Sequence, residues 1–242
     1  MSINELVRGS IPFNILKEGF VMRKELKWRW LFFVVGIAVM SFGVAMTIKG
    51  KVVGTAPWDV LHIGLFQRLG LSVGSWGIIL GLCIILSTSL ILKEWPKITT
   101  WINMLLCGLF IDLFNWLLPT TDVLIYEIAY FIFGVIILGV GCALYISPNL
   151  GAGPRDTIMI LIVEKLGGSI RMARLTMESV ATILGWLLGG PVGIGTIIIA
   201  LCSGYIIQAA LPYFQRLLEK KIAGPEYVKI SSKHTKPLAK EA

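Results

Sequence analysis

Long apolar runs separated by short polar stretches dominate the chain. Six runs approach or reach the roughly 20 residues that an α-helix needs to cross the hydrocarbon core of a bilayer. They cover residues 30–48, 71–92, 98–118, 128–146, 171–188 and 192–211. Two further segments, 57–69 and 157–166, carry polar residues and are too short to cross alone. The pattern predicts an all-α integral membrane protein with six full transmembrane helices and two short re-entrant or broken segments.

Composition agrees with this class. Hydrophobic residues make up 56% of the 242 positions and charged residues only 15%, whereas a soluble domain carries about 25% charged residues. The first apolar run has no small-residue cleavage site behind it, so it is interpreted as a retained span rather than a signal peptide. The predicted partner is the lipid bilayer.

The two halves of the chain match in order, at offsets of 95–98 positions. Gly36 and Gly43 in the first span correspond to Gly134 and Gly141 in the fourth. This predicts four parts: a basic leader (1–29), membrane repeat A (30–119), membrane repeat B (120–212) and a basic tail (213–242). Three spans per repeat is an odd number, so repeat B should be inverted relative to repeat A, as in many secondary transporters.

The distribution of basic residues predicts the orientation. With the N-terminus inside, the predicted inner segments hold 19 of the 22 Lys and Arg residues, and the outer ones hold Lys49, Lys51 and Arg68. Short cytoplasmic segments are enriched in Lys and Arg. Both termini are therefore expected to be cytoplasmic. A model with eight spans, in which the short segments also cross, fits this bias less well.

Two related stretches precede the short segments: Gly54-Thr55-Ala56-Pro57-Trp58-Asp59 and Gly151-Ala152-Gly153-Pro154-Arg155-Asp156. The structural motif residues are Gly54, Pro57, Gly151, Gly153 and Pro154. Glycine permits a sharp turn, and proline suits the first turn of a helix. Each Asp could cap its helix, or the two breaks could face each other across a polar cavity.

The second interpretation predicts a substrate-binding site that contains Asp59, Asp156 and Arg155. Because Arg155 has no basic counterpart at Trp58, such a site would be asymmetric and better able to hold an anionic group on the inner side. Asp112, within the third span, is a further candidate, since a carboxylate at the bilayer centre costs about 2.5–3.5 kcal/mol and should face the interior. Its alternative role is a hydrogen-bonded packing group.

Other chemistry is not predicted. The four cysteines (Cys83, Cys107, Cys142 and Cys202) lie inside apolar runs, and neither histidine has a partner at metal-ligand spacing. No phosphate loop or dinucleotide fingerprint is present. We therefore expect no metal, no cofactor, no catalytic residues, no enzyme activity and no nucleic-acid partner. Two Gly-x-x-x-Gly stretches, beginning at Gly77 and Gly185, permit close helix contact and leave a homo-oligomer open.

The chain resembles the YczE/YyaS/YitT family of bacterial membrane proteins. The resemblance rests on Pro57-Trp58-Asp59, on Gly151-Ala152-Gly153-Pro154-Arg155-Asp156 and on Pro191-Val192-Gly193-Ile194-Gly195-Thr196. It covers residues 30–212. It implies a multi-span protein of the bacterial cytoplasmic membrane and supplies neither a substrate nor catalytic residues.

Two function classes follow. The first is a secondary transporter or permease for a small polar solute. The second is a non-transporting membrane protein that docks or regulates partner proteins through its leader and tail. A polar, accessible interior favours the first class, and a dry interior with polarity confined to the termini favours the second.

The orientation can be tested with reporter fusions. A periplasmic-active reporter fused after Thr121 should be active, because residues 119–127 form the predicted outer loop between the repeats. A cytoplasmic-active reporter at Thr121 should be inactive, and the same reporter after Lys236 should be active. The reverse result would contradict the inverted six-span arrangement.

Overall fold

The computed structural model describes residues 19–50, 53–93, 95–151, 153–155, 158, 161–162 and 170–234. Within these residues the regular elements are α-helices, and no strand occurs. The seven long helices are α1 (Gly19–Lys49), α2 (Pro57–Leu69), α3 (Val73–Leu92), α4 (Ile98–Leu117), α5 (Leu124–Ile146), α6 (Ile170–Leu187) and α7 (Ile194–His234). Residues 154–155, 158 and 161–162, between α5 and α6, are also helical.

Five of the helices are long and apolar enough to cross a membrane: α1, α3, α4, α5 and α7. The predicted fifth span corresponds to α6, whose apolar part is the shorter stretch Leu175–Leu187. Large apolar side chains such as Leu90, Trp116 and Ile194 are exposed on the outer surface. The protein is therefore an all-α, multi-pass membrane protein, and these side chains face the bilayer.

Three helix boundaries differ from the predicted runs by more than two residues: the start of α1, the start of α5 and the end of α7. Helix α1 begins at Gly19 rather than at residue 30, so it includes the end of the predicted leader. Helix α5 begins at Leu124 rather than at residue 128, because the carbonyl oxygen of Val123 accepts from the backbone N–H groups of Tyr126 and Glu127. Glu127, predicted to end the outer loop, is thus buried in the first turn of α5.

Helix α7 continues through the beginning of the predicted tail to His234. Leu218 is buried there, and the ammonium of Lys221 lies 5.3 Å from the ring centroid of Trp28 on α1. Cation–π and apolar contacts therefore extend the helix along α1. They also bring the C-terminal part of α7 to the same end of the bundle as the start of α1.

Helices α1 and α5 form the centre of the bundle and run antiparallel. Four close contacts line their interface: Gly36 with Tyr145, Met40 with Gly141, Gly43 with Leu138, and Thr47 with Gly134. At each contact a glycine lets the two backbones approach, as small residues do in membrane helix pairs. A methyl group added at any of these glycines would overlap the partner backbone or side chain.

The segments before and after the short helix α2 lie toward one end of the bundle. Its start follows Gly50, which packs against the carbonyl oxygen of Glu127 at the beginning of α5. Its end is joined through Gly70 to Ser72, which bonds Asp112 near the end of α4. The first half of α2 is buried and its last four residues are exposed. Helix α2 thus begins within the protein and ends at its surface.

The close approach of α1 and α5 predicts a strong asymmetry between two glycine substitutions. Gly43→Ala should lower the free energy of unfolding by about 1–3 kcal/mol, because the new methyl group would overlap Leu138. Gly204→Ala, on α7, has open space around the added atom and should leave stability unchanged or slightly raised. Thermal unfolding of the detergent-purified variants measures the difference. Equal melting temperatures would contradict glycine-dependent packing at this interface.

Candidate functional site

The first chain break is built by Gly54 and fixed by the start of α7. Gly54 has a φ of +104°, which a residue with a side chain rarely adopts, and it packs directly against Gly193 and Thr196. The carbonyl oxygen of Val53 accepts from the N–H of Gly195 at 2.6 Å. Pro57 then begins α2 after an extended Ala56. The break thus obtains its backbone partners from the second half of the chain.

The second break is fixed in the same way by the start of α4. Thr99 donates to the carbonyl oxygen of Leu150 at 2.9 Å, and Gly151 packs against the same threonine side chain. Arg29 on α1 donates to the carbonyl oxygen of Pro148 at 2.6 Å. Ala152 and Asp156 lie outside the described residues.

The two breaks meet through the residues that follow their prolines. The guanidinium carbon of Arg155 lies 4.9 Å from the ring centroid of Trp58, a cation–π contact. Pro154 reaches Gly81, near the middle of α3. The structure therefore brings Arg155 next to the break that carries Asp59.

A cavity of about 210 Å³ opens beside this contact. Helices α1 to α7 all contribute to its wall, together with the segment after the second break. Its polar or polarizable lining residues are Trp58, His62, Asn103, Cys107, Cys142, Tyr145, Arg155 and Glu178. The remainder of the lining is mostly aliphatic and glycine, so the cavity is an apolar space with a few polar groups, as solute sites usually are.

Asp59 and His62 form a buried pair one helical turn apart on α2. Their side chains are 3% and 1% exposed, and His62 Nδ1 lies 3.5 Å from Asp59 Oδ1. This distance is too long for a good hydrogen bond, and His62 Nδ1 has no hydrogen-bond partner among the described residues. His62 lines the cavity, whereas Asp59 lies behind it. Sequence analysis considered His62 only as a metal ligand and did not select it. The sequence feature that could have identified this pair is the position of His62 three residues after Asp59.

Asn103 on α4 is the second cavity residue that sequence analysis did not select. Its side chain is 7% exposed, and its amide nitrogen Nδ2 has no hydrogen-bond partner among the described residues. A buried donor left in this state costs about 1–3 kcal/mol. An acceptor in the cavity would relieve that cost.

Asp112 on α4 does not line the cavity, and its side chain contacts the start of α3. Its Oδ1 accepts from the N–H of Gly74 at 2.8 Å, and its Oδ2 accepts from the Ser72 hydroxyl. Ser72 in turn is the N-cap of α3 and accepts from the N–H of Ser75. The carboxylate therefore satisfies a helix terminus inside the protein. The predicted part of Asp112 in solute binding stays a prediction.

In the described part of the chain, no group of three His, Cys, Asp or Glu side chains could hold a metal ion. Gly81 and Gly185, from the two Gly-x-x-x-Gly stretches, pack against Met104 and Leu61 of the same chain. These two glycines thus serve the internal packing, and the homo-oligomer stays a prediction.

The contacts of Asp112 predict an energetic coupling with Ser72. Asp112→Ala should lower the free energy of unfolding by about 1–3 kcal/mol, since Gly74 N–H and the Ser72 hydroxyl lose an acceptor. The double variant with Ser72→Ala should show a coupling of about 0.6 kcal/mol or more. Ser87→Ala serves as the control, because Ser87 bonds only carbonyl groups of its own helix. Strict additivity of Asp112→Ala and Ser72→Ala would rule out the bond as a stabilising contact.

Comparison with known proteins places the chain among bacterial membrane proteins. A family model described as "Family of unknown function (DUF6198)" matches residues 27–212. The chain is 44% identical over 202 residues to "Uncharacterized membrane protein YczE" of Bacillus subtilis, which covers 84% of the chain and 94% of the relative. It is 25% identical over 191 residues to "Uncharacterized protein YyaS" of the same species, covering 78% and 94%.

A third relative, from Haemophilus influenzae, is 30% identical over 181 residues, covering 75% of the chain and 82% of the relative. No solved structure matches. The match over residues 27–212 spans both breaks and the cavity described above. The chain belongs to this family, DUF6198, and is a membrane protein of the YczE/YyaS type.

Proposed function

We propose that the protein is a secondary transporter or permease for a small polar solute in the bacterial plasma membrane, with both termini cytoplasmic. The observation that carries this proposal is the cavity where the two chain breaks meet. Secondary transporters bind their solutes at such a place, between the repeats and beside broken helices. A protein that only docks partners has no use for polar groups such as Asn103 Nδ2 left unpaired inside the bundle.

The proposal includes six spans, two re-entrant segments and an inverted repeat. Support comes from contacts that recur when both partners are displaced by the repeat offset. Gly36 contacts Tyr145, and their counterparts 98 positions away, Gly134 and Thr47, also contact each other. Gly43 contacts Leu138, and their counterparts at the same offset, Gly141 and Met40, also contact each other.

The breaks follow the same relation. Gly54 packs against Thr196, and their counterparts 97 positions away, Gly151 and Thr99, pack against each other. Trp58 and Arg155, which touch each other, are also 97 positions apart. A residue that contacts its own counterpart lies near the axis that relates the two halves. The proposed axis therefore passes beside the cavity, where alternating access would be centred.

Transport can be tested by closing the cavity without unfolding the protein. Gly77 lines the cavity, and a methyl group there would make an ordinary contact with His62 at 3.6 Å. Gly77→Ala should therefore retain activity, whereas the longer side chain of Gly77→Leu should fill the cavity. A metabolite-uptake screen that compares a deletion strain with the complemented strain would supply the solute, and proteoliposomes would give the rate.

We expect Gly77→Leu to reduce uptake at least about tenfold relative to Gly77→Ala, with melting temperatures of the two variants within a few degrees. Equal uptake by the two variants would exclude the cavity as the transport path. A deletion strain with unchanged uptake but a lost interaction with another membrane protein would favour the docking alternative.

A further inference from the structure

We infer that the cavity binds its solute through a carboxylate group, held jointly by Arg155 and the side-chain amide of Asn103. The ligand class is a small organic monocarboxylate. The inference rests on the proposed function only for how the solute arrives, because binding itself can be measured without transport.

Arg155 supplies the charge. Its guanidinium lies over the Trp58 ring at 4.9 Å, and among the described residues no carboxylate forms an ion pair with it. A cation–π contact holds the guanidinium against the face of the indole and uses none of its N–H groups as hydrogen-bond donors. The guanidinium can therefore present two parallel N–H groups to a carboxylate, the geometry for which arginine is best suited. The exposed fraction of Arg155 leaves it accessible from the cavity.

Asn103 supplies the second donor. Its Nδ2 is buried, lines the same cavity and lacks a partner in the described structure. An amide nitrogen can only donate, so it requires an oxygen acceptor rather than a cation. Arginine and an unpaired amide therefore select the same chemical group.

Other charges near the cavity do not reverse this selection. Asp59 lies behind His62 and does not line the cavity. Glu178 on α6 lines it but already has a polar interaction of its own. Arg155 is the one arginine or lysine in the described wall, so the inferred ligand carries a single carboxylate.

The rest of the wall sets the remainder of the ligand. Met40, Leu80, Ile84, Met104 and Ile111 form an apolar lining in a space of about 210 Å³. A short alkyl or aryl group fits this lining, whereas a second charge would be desolvated without a partner. Hydrated inorganic anions would leave the apolar wall unused.

The test is ligand-dependent thermal stabilisation of the full-length protein in detergent. The probes are the sodium salts of acetate, butyrate and benzoate, compared with sodium chloride and sodium phosphate at equal ionic strength and with choline chloride. We expect at least one carboxylate to raise the melting temperature in a saturable manner. Arg155→Gln should weaken its apparent Kd at least about tenfold, the loss expected for a bidentate charged hydrogen bond.

Matched variants separate binding from folding. Arg68→Gln removes an arginine at the exposed end of α2, outside the cavity, and should leave the apparent Kd unchanged. Asn103→Asp keeps the shape of Asn103 but replaces a donor with a carboxylate, so it should abolish carboxylate stabilisation. This second variant keeps the test decisive if Arg155→Gln fails to fold.

Any one of three results would overturn the inference. The first is that no carboxylate stabilises the protein, and the second is that chloride, phosphate or choline stabilises it equally. The third is that the stabilisation survives in both Arg155→Gln and Asn103→Asp. Other results would contradict the proposed transport function without affecting the carboxylate site, or the reverse. Carboxylate binding without uptake in proteoliposomes would remove the transporter and keep the site. Uptake of an uncharged solute that Gly77→Leu blocks and Arg155→Gln does not would remove the carboxylate and keep the transporter.

Discussion

The structure depends on satisfying backbone hydrogen-bonding groups where the chain leaves helical geometry inside the helix bundle. Each unsatisfied group in hydrocarbon costs several kcal/mol, so irregular backbone is tolerated only when protein or water supplies partners. Here the break at Gly54 bonds to the start of α7 through Val53, and the carbonyl oxygen that precedes Gly151 bonds to Thr99 of α4. Each half of the chain therefore completes the break of the other half, and neither half would be stable in this form alone.

This mutual completion requires the two halves to approach closely, which explains the glycines of α1 and α5. The cross-connections from Val53 and Thr99 form only if the central helix pair holds both halves in register. Gly36, Gly43 and their counterparts Gly134 and Gly141 provide that register by direct backbone contact. The cavity lies where the residues after the two breaks, Trp58 and Arg155, meet among the long helices.

The sequence predicted the helices well because apolar run length and glycine–proline breaks are local signals. Helix α2 has the predicted bounds of 57–69, and α3, α4 and α6 differ from their predicted runs by at most two residues at each end. The beginnings and ends that depend on distant contacts were not predictable. Leu218 and Lys221 extend α7 because α1 lies beside them, and no local pattern encodes that neighbour.

The candidate site shows the same division. Arg155 was chosen from its motif, and the structure places it on the cavity wall, whereas Asp112 was chosen for its carboxylate and is found at a helix start. His62 was considered only as a metal ligand, and Asn103 was not selected because an Asn in an apolar run has no pattern of its own. The difference between the two break motifs is more informative than their similarity. A symmetric pair of breaks needs equivalent residues at positions 58 and 155, and the chain has Trp and Arg there, two side chains that attract each other. Equivalent residues at these two positions could not place a guanidinium and an indole face to face at the cavity wall.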